Sequence, residues 1–362
     1  MKQLLLSILA GMMALGAVAQ EGKFTLSGTV KDLNMAYHVL TDTKGESSSD
    51  GMLFFNGGKV DLSFDMKEVG WLMLVASGRV IMLPAVPGEA VTIDGDIDNY
   101  SLGSSELYKV YNEFLTTARP LQLASSKYDF KQACRDEIVG MTSEQVFDLY
   151  QSKMRENSQP FTDAVMNFVG QHADHESSMM VLNFLSYAED IEKARGLISE
   201  RVFNGRMKPF YEGPLEHAKR FGASYPLNGK PAPDFKLTSV DGEELSLSSL
   251  RGKWVLLDFW SSTCGNSLVQ MPALKELYAM YKDHVEVLGV DCDDEEADWL
   301  SVVSEYQLPW LNVLASLDGD DSPVNLYDET ATPAYFLITQ SGKVAMRGSL
   351  DTFSYIFKIL FE

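Results

Sequence analysis

The stretch Trp254-Val255-Leu256-Leu257-Asp258-Phe259-Trp260-Ser261-Ser262-Thr263-Cys264 constrains this chain more than any other. A short run dominated by apolar residues and closed by small polar ones reads as a buried strand. The cysteine that follows opens a helical pattern running from Ser267 to about Lys282. A sulfur at a helix N-terminus meets unsatisfied N–H groups and the positive end of the helix dipole, and both favour the thiolate. Exchange of two electrons within one motif also needs a second thiol to cleave the mixed disulfide. The residue three positions after Cys264 is Ser267, and a hydroxyl cannot do that.

Further landmarks stand in order around this stretch. Gly229-Lys230-Pro231-Ala232-Pro233-Asp234-Phe235 fits a G-x-x-A-P-D-F opening segment, Asp241-Gly242 turns a hairpin, Met271-Pro272 falls inside the helix, and Thr332-Pro333 precedes an apolar strand, Ala334 to Thr339. From Gly229 to the C-terminus the chain thus resembles the envelope thioredoxin-like proteins of the TlpA/ResA and redoxin (AhpC/TSA-like) group. The resemblance implies an α/β thioredoxin-like domain, with Cys264 as nucleophile, Trp260 packed beside it, and Pro333 as the cis-proline shaping a partner-binding groove.

Two positions depart from the W-C-x-x-C-x-x-E-x-P pattern of that group. Ser267 replaces the resolving cysteine and Gln270 replaces the acid that moves protons during exchange, while glutamine has no ionisable proton. Single-thiol chemistry is therefore expected: Cys264 forms mixed disulfides or is oxidised reversibly, and an external thiol completes the turnover. A redox-silent binding module using the same groove is the alternative. A one-cysteine thiol peroxidase is a further one, although Leu257 occupies the position where the P-x-x-x-T-x-x-C motif has its proline.

The first residues carry Lys2, an apolar run and Ala17-Val18-Ala19 before Gln20, the layout of a secretory signal over residues 1–19. No later run reaches the roughly 18 apolar residues of a membrane-spanning helix. A periplasmic or other cell-envelope location is expected, with thiol- or disulfide-bearing envelope proteins as partners. The formal net charge of -21 weighs against non-specific nucleic-acid binding. Three cysteines, Cys134, Cys264 and Cys292, leave at least one thiol without an intrachain partner.

With 362 residues the chain exceeds one compact core, and its patterning changes twice. Alternating segments such as Phe24 to Val30, Val60 to Phe64, Arg79 to Leu83 and Ala90 to Asp94 predict a small all-β, sandwich-like domain over 20–103. Helical spacing then takes over, with Leu107, Val110, Tyr111 and Phe114 on one face and Val146, Leu149 and Tyr150 on another. This predicts a helical linker domain over 104–224, with Thr142 as a helix cap and Cys134 half-buried on a helix. The thioredoxin-like domain is expected over 225–362.

Cys292 follows the strand predicted beside the one leading to Cys264, which makes it a candidate resolving thiol; its Asp291, Asp293 and Asp294 neighbours would oppose its ionisation. His172 and His175 stand three apart without a clear third ligand, so no metal site is expected. No cofactor is expected either.

Overall fold

The computed structural model describes residues 22–43, 47–48, 51–292, 295–315, 319, 321–329 and 331–362. The leader expected over 1–19 lies outside the described residues, as do Asp293 and Asp294.

Among the described residues nine strands come first: β1 Gly22–Val30, β2 Met35–Asp42, β3 Ser47–Ser48, β4 Met52–Phe54, β5 Lys59–Met66, β6 Gly70–Ala76, β7 Arg79–Ala85, β8 Ala90–Gly95 and β9 Tyr100–Gly103. Helices α1 Glu106–Ser126, α2 Phe130–Ala133, α3 Ser143–Gln171, α4 Ser177–Met180, α5 Ala188–Leu197, α6 Glu200–Phe203 and α7 Pro209–Arg220 follow. The remainder is β10 Lys236–Thr238, β11 Glu244–Ser246, β12 Trp254–Trp260, α8 Gly265–Tyr281, β13 Val285–Asp291, α9 Glu296–Glu305, β14 Leu311–Leu314, α10 Pro323–Leu326, β15 Ala334–Ile338, β16 Val344–Gly348 and α11 Leu350–Phe361.

The chain divides into two compact units. The first comprises residues up to Tyr128 together with Asn157–Ala218, and the second Asp129–Glu156 with Lys219–Glu362. The helical segment expected as one linker domain is thus shared between them.

In the first unit one sheet has the order β5-β1-β8-β9, and the other runs β3-β2-β6-β7 with β4 also paired to β2. The period-2 pattern read in the sequence is present: Phe24, Leu26, Val60, Ile81, Leu83, Val91 and Ile93 are all buried in one cluster drawn from both sheets. Leu107, Val110, Tyr111 and Phe114 of α1 join that cluster, which is the burial their helical spacing requires. The Tyr108 hydroxyl, buried beside them, donates to the Pro84 carbonyl at 2.6 Å, so the phenol enters the core with its polar end satisfied.

The second unit is built on a five-stranded sheet of order β14-β13-β12-β15-β16. β12 pairs in parallel with β13 and antiparallel with β15, which places it at the centre. Every residue of β12 is buried, as expected of a strand covered on both faces. Alternation divides its side chains. Trp254, Leu256 and Trp260 pack with Met271, Leu274 and Leu277 of α8 and Phe353 and Phe357 of α11. Val255, Leu257 and Phe259 lie in a separate cluster with Leu288, Val290, Phe336 and Tyr327.

The α3 N-terminus belongs to this unit because its first turns are built into it. Thr142 and Gln145 form a reciprocal cap: the Gln145 N–H donates to Thr142 Oγ1 at 3.3 Å and the Thr142 N–H to Gln145 Oε1 at 2.9 Å. Trp254 Nε1 donates to Ser143 Oγ at 2.8 Å, and Phe147 packs edge-on against the Trp254 ring with centroids 5.8 Å apart. Cys134, at the end of α2, is fully buried rather than half-buried, since α2 ends after four residues and the cap residue turns inward with Phe130. Among the described residues no helix is long and apolar enough to cross a membrane.

Candidate functional site

Residues 261–263 make a tight polar turn between the central strand and α8. The Thr263 N–H donates to Ser261 Oγ at 3.2 Å and the Cys264 N–H to the Ser261 carbonyl at 3.1 Å. Cys264 then caps α8 in extended conformation, its carbonyl accepting from the Leu268 N–H at 3.2 Å. Its sulfur sits at the open end of a helix of 17 residues, as the sequence predicts, and is partly exposed.

The Thr332–Pro333 peptide is cis, and this loop meets the cysteine: Cys264 Sγ donates to the Thr332 carbonyl at 3.3 Å. The thiol is held below the usual cysteine range, first by a hydrogen bond with the Thr332 side chain and then by the Ser267 backbone N–H. The Ser267 hydroxyl and the Asn266 N–H add in the same direction, and partial burial opposes them. Ser267 is buried, and its hydroxyl has no partner within hydrogen-bond distance, so its effect on the sulfur is that of a nearby dipole. Gln270 accepts a hydrogen bond from the Tyr335 hydroxyl at 3.2 Å through Oε1.

Cys264, Ser267 and Thr332–Pro333 are therefore brought together, with Gln270 on the second turn of the same helix. Trp260 is placed differently. It is fully buried in the cluster under α8, so it supports the site from beneath and offers no surface to a partner.

Cys292 sits beside the strand end, its N–H donating to the Trp260 carbonyl at 2.8 Å. Its sulfur packs with Val290 in the cluster on the face opposite α8 and donates to the Val290 carbonyl at 3.6 Å. None of the three cysteines is in a disulfide. His172 and His175 are ring neighbours, with His175 Nδ1 2.8 Å from Ser177 Oγ. No metal-binding group occurs among the described residues.

One titratable residue escaped the sequence reading. Asp258, on the α8 face of β12, is almost wholly buried, and neither carboxylate oxygen has a hydrogen-bond partner. Burial, then the charge of Asp291, pushes it well above the ordinary carboxylate range. Its cross-strand partner is Tyr335, the residue that bonds Gln270. A carboxylate within an otherwise apolar strand was the available signal.

Residues 228–347 match the AhpC/TSA family. Over 117 residues the chain is 34% identical to the thiol-disulfide oxidoreductase ResA of Bacillus cereus (strain ZK / E33L), covering 32% of this chain and 66% of that protein. The same coverage holds for ResA of Geobacillus kaustophilus (strain HTA426), at 38% identity. The C-terminal part of this chain is an AhpC/TSA redoxin domain of the TlpA/ResA type. This redoxin domain spans a little under two thirds of the length of those relatives. The thioredoxin domain of a thiol-disulfide oxidoreductase from Bacteroides vulgatus is 28% identical and aligns over 37% of this chain and 97% of that one, with a TM-score of 0.34.

Proposed function

We propose that the protein is a single-thiol exchange factor whose redoxin domain acts through Cys264. The thiolate attacks one sulfur of a partner disulfide, a Cys264–partner disulfide forms, and the partner's other sulfur leaves as a thiolate. A second thiol, from the partner or from a small-molecule thiol, then attacks the mixed disulfide and releases Cys264. The observation that carries this reading is the pairing of a Cys264 sulfur held below the usual thiol range with Ser267 at the position a resolving thiol needs.

Pro333 and Thr332 form the wall against which the attacking sulfur is held, and the partner segment lies along it. Gln270 fills the place of the proton-transferring acid without its chemistry, so the ionisable carboxyls in this part of the core are those of Asp258 and Asp291. Cys292 is not the resolving group in this reading, because its sulfur packs on the far face of the sheet. Similarity to ResA supports thiol- or disulfide-bearing protein partners, and the leader pattern at the N-terminus supports a cell-envelope location. The β-domain and helices would then carry the redoxin domain as a three-part envelope protein.

The arrangement makes wild-type protein a trap for its own partners. Capture from an envelope extract under acid-quenched, non-reducing conditions is expected to give adducts that dithiothreitol releases and that Cys264→Ser abolishes. Partners recovered equally with Cys264→Ser and unaffected by reductant would replace exchange with plain binding.

A further inference from the structure

Glu329 and Arg347 form the most buried ion pair among the described residues, with side chains 2% and 7% exposed. Burying two charges is costly unless the geometry is good and the remaining polar atoms are satisfied. Here Glu329 Oε2 pairs with Arg347 Nη2, while Glu329 Oε1 accepts the Ala331 N–H at 3.0 Å. Arg347 Nη1 donates to the Arg220 carbonyl at 2.8 Å and the guanidinium lies over the Phe221 ring, 4.3 Å from its centroid, while Nε has no hydrogen-bond partner among the described residues. Arg347 is also the cross-strand neighbour of Phe336, three residues beyond Pro333. The pair thus joins β16 to the backbone immediately before Thr332, and Thr332 is what Cys264 Sγ touches.

We propose that the Glu329–Arg347 pair is a positioning device that fixes the Ala331–Pro333 segment against the Cys264 sulfur. Arg347 is anchored in the sheet, at the Arg220 carbonyl and on the Phe221 face, so it cannot follow the loop. Glu329 is anchored to Arg347 and holds Ala331 by its second oxygen. Losing that oxygen frees the Ala331 N–H and lets the Thr332 contacts to the sulfur loosen. The inference rests on Cys264 being the reactive group, and it assigns no contact with a partner to either residue.

The test is the pH dependence of Cys264 alkylation by iodoacetamide in the full chain, with the labelled site identified by mass spectrometry. Glu329→Ala alone would leave the Arg347 charge buried and unpaired and could unfold the domain. The informative variant is therefore Glu329→Met/Arg347→Met, which removes both charges together with the Ala331 acceptor, its fold checked by near-ultraviolet circular dichroism. A displacement of the labelling midpoint by about half a pH unit is expected, equivalent to about a threefold change in thiolate below the midpoint. A folded double variant that labels with the wild-type midpoint overturns the positioning role. If wild type itself labels at the free-cysteine value of about 8.5, the reading of Cys264 fails instead, so the two failures are distinguishable.

Discussion

Cys264 and Asp258 lie on consecutive elements of the same motif and are perturbed in opposite directions by opposite surroundings. The sulfur is at a helix end, partly open to solvent, where N–H groups and Thr332 favour the charged form. The carboxyl is on the central strand with no donor to it, where desolvation favours the neutral form. The stability consequence for Asp258 has a definite sign. A carboxyl with a raised folded value binds more protons in the native than in the unfolded state, so stability falls as pH climbs from about 3.9 toward the raised value. Asp258→Asn removes that loss. The variant should melt above wild type by a few degrees at pH 8, the shift expected of about 1 kcal/mol in a domain of this size, with a smaller gain at pH 5. Thermal melts of both proteins across this range check it; a variant that melts below wild type at pH 8 would mean that Asp258 is charged and satisfied in the fold.

At the level of elements, the sequence carried the local signals well. The strand to Trp260, the helix starting after Cys264, the hairpin around Asp241-Gly242, the Thr332-Pro333 loop and the Thr142 cap all have signatures within a few residues. What stayed hidden depends on pairing across long stretches of chain. The face taken by Cys292 follows from the register of β13 on β12, and the partner of Glu329 lies 18 residues later on β16. The α3 N-terminus is a similar case, because Ser143 and Phe147 meet Trp254 more than 100 residues later in the chain. The cap itself can be tested. Thr142→Ala should cost about 1 kcal/mol by removing the side-chain acceptor for the Gln145 N–H. Denaturant unfolding monitored at tryptophan would report it through Trp254, and an unchanged midpoint would show that the cap contributes nothing to this end of the helix.

For the whole molecule, the redoxin domain occupies the C-terminal third, and the described residues before it build a β-domain and helices that contain no cysteine except Cys134. Cys134 is buried, so exchange with a large partner falls to the two thiols at the redoxin sheet edge. Of those, Cys292 packs against the cluster on the face opposite α8, and Ser267 leaves Cys264 without a thiol three residues on to relieve it. The central claim is that Cys264 forms a mixed disulfide and has no internal means of resolving it. Its most direct measurement is intact and peptide mass spectrometry after incubating the full chain with oxidised glutathione, for wild type and Ser267→Cys. Wild type should carry a single glutathione on Cys264 that persists until dithiothreitol is added, whereas Ser267→Cys should lose it and gain an internal 264–267 disulfide. An internal Cys264–Cys292 disulfide in wild type, or a Cys264 that stays unmodified while Ser267→Cys behaves the same way, would contradict the claim.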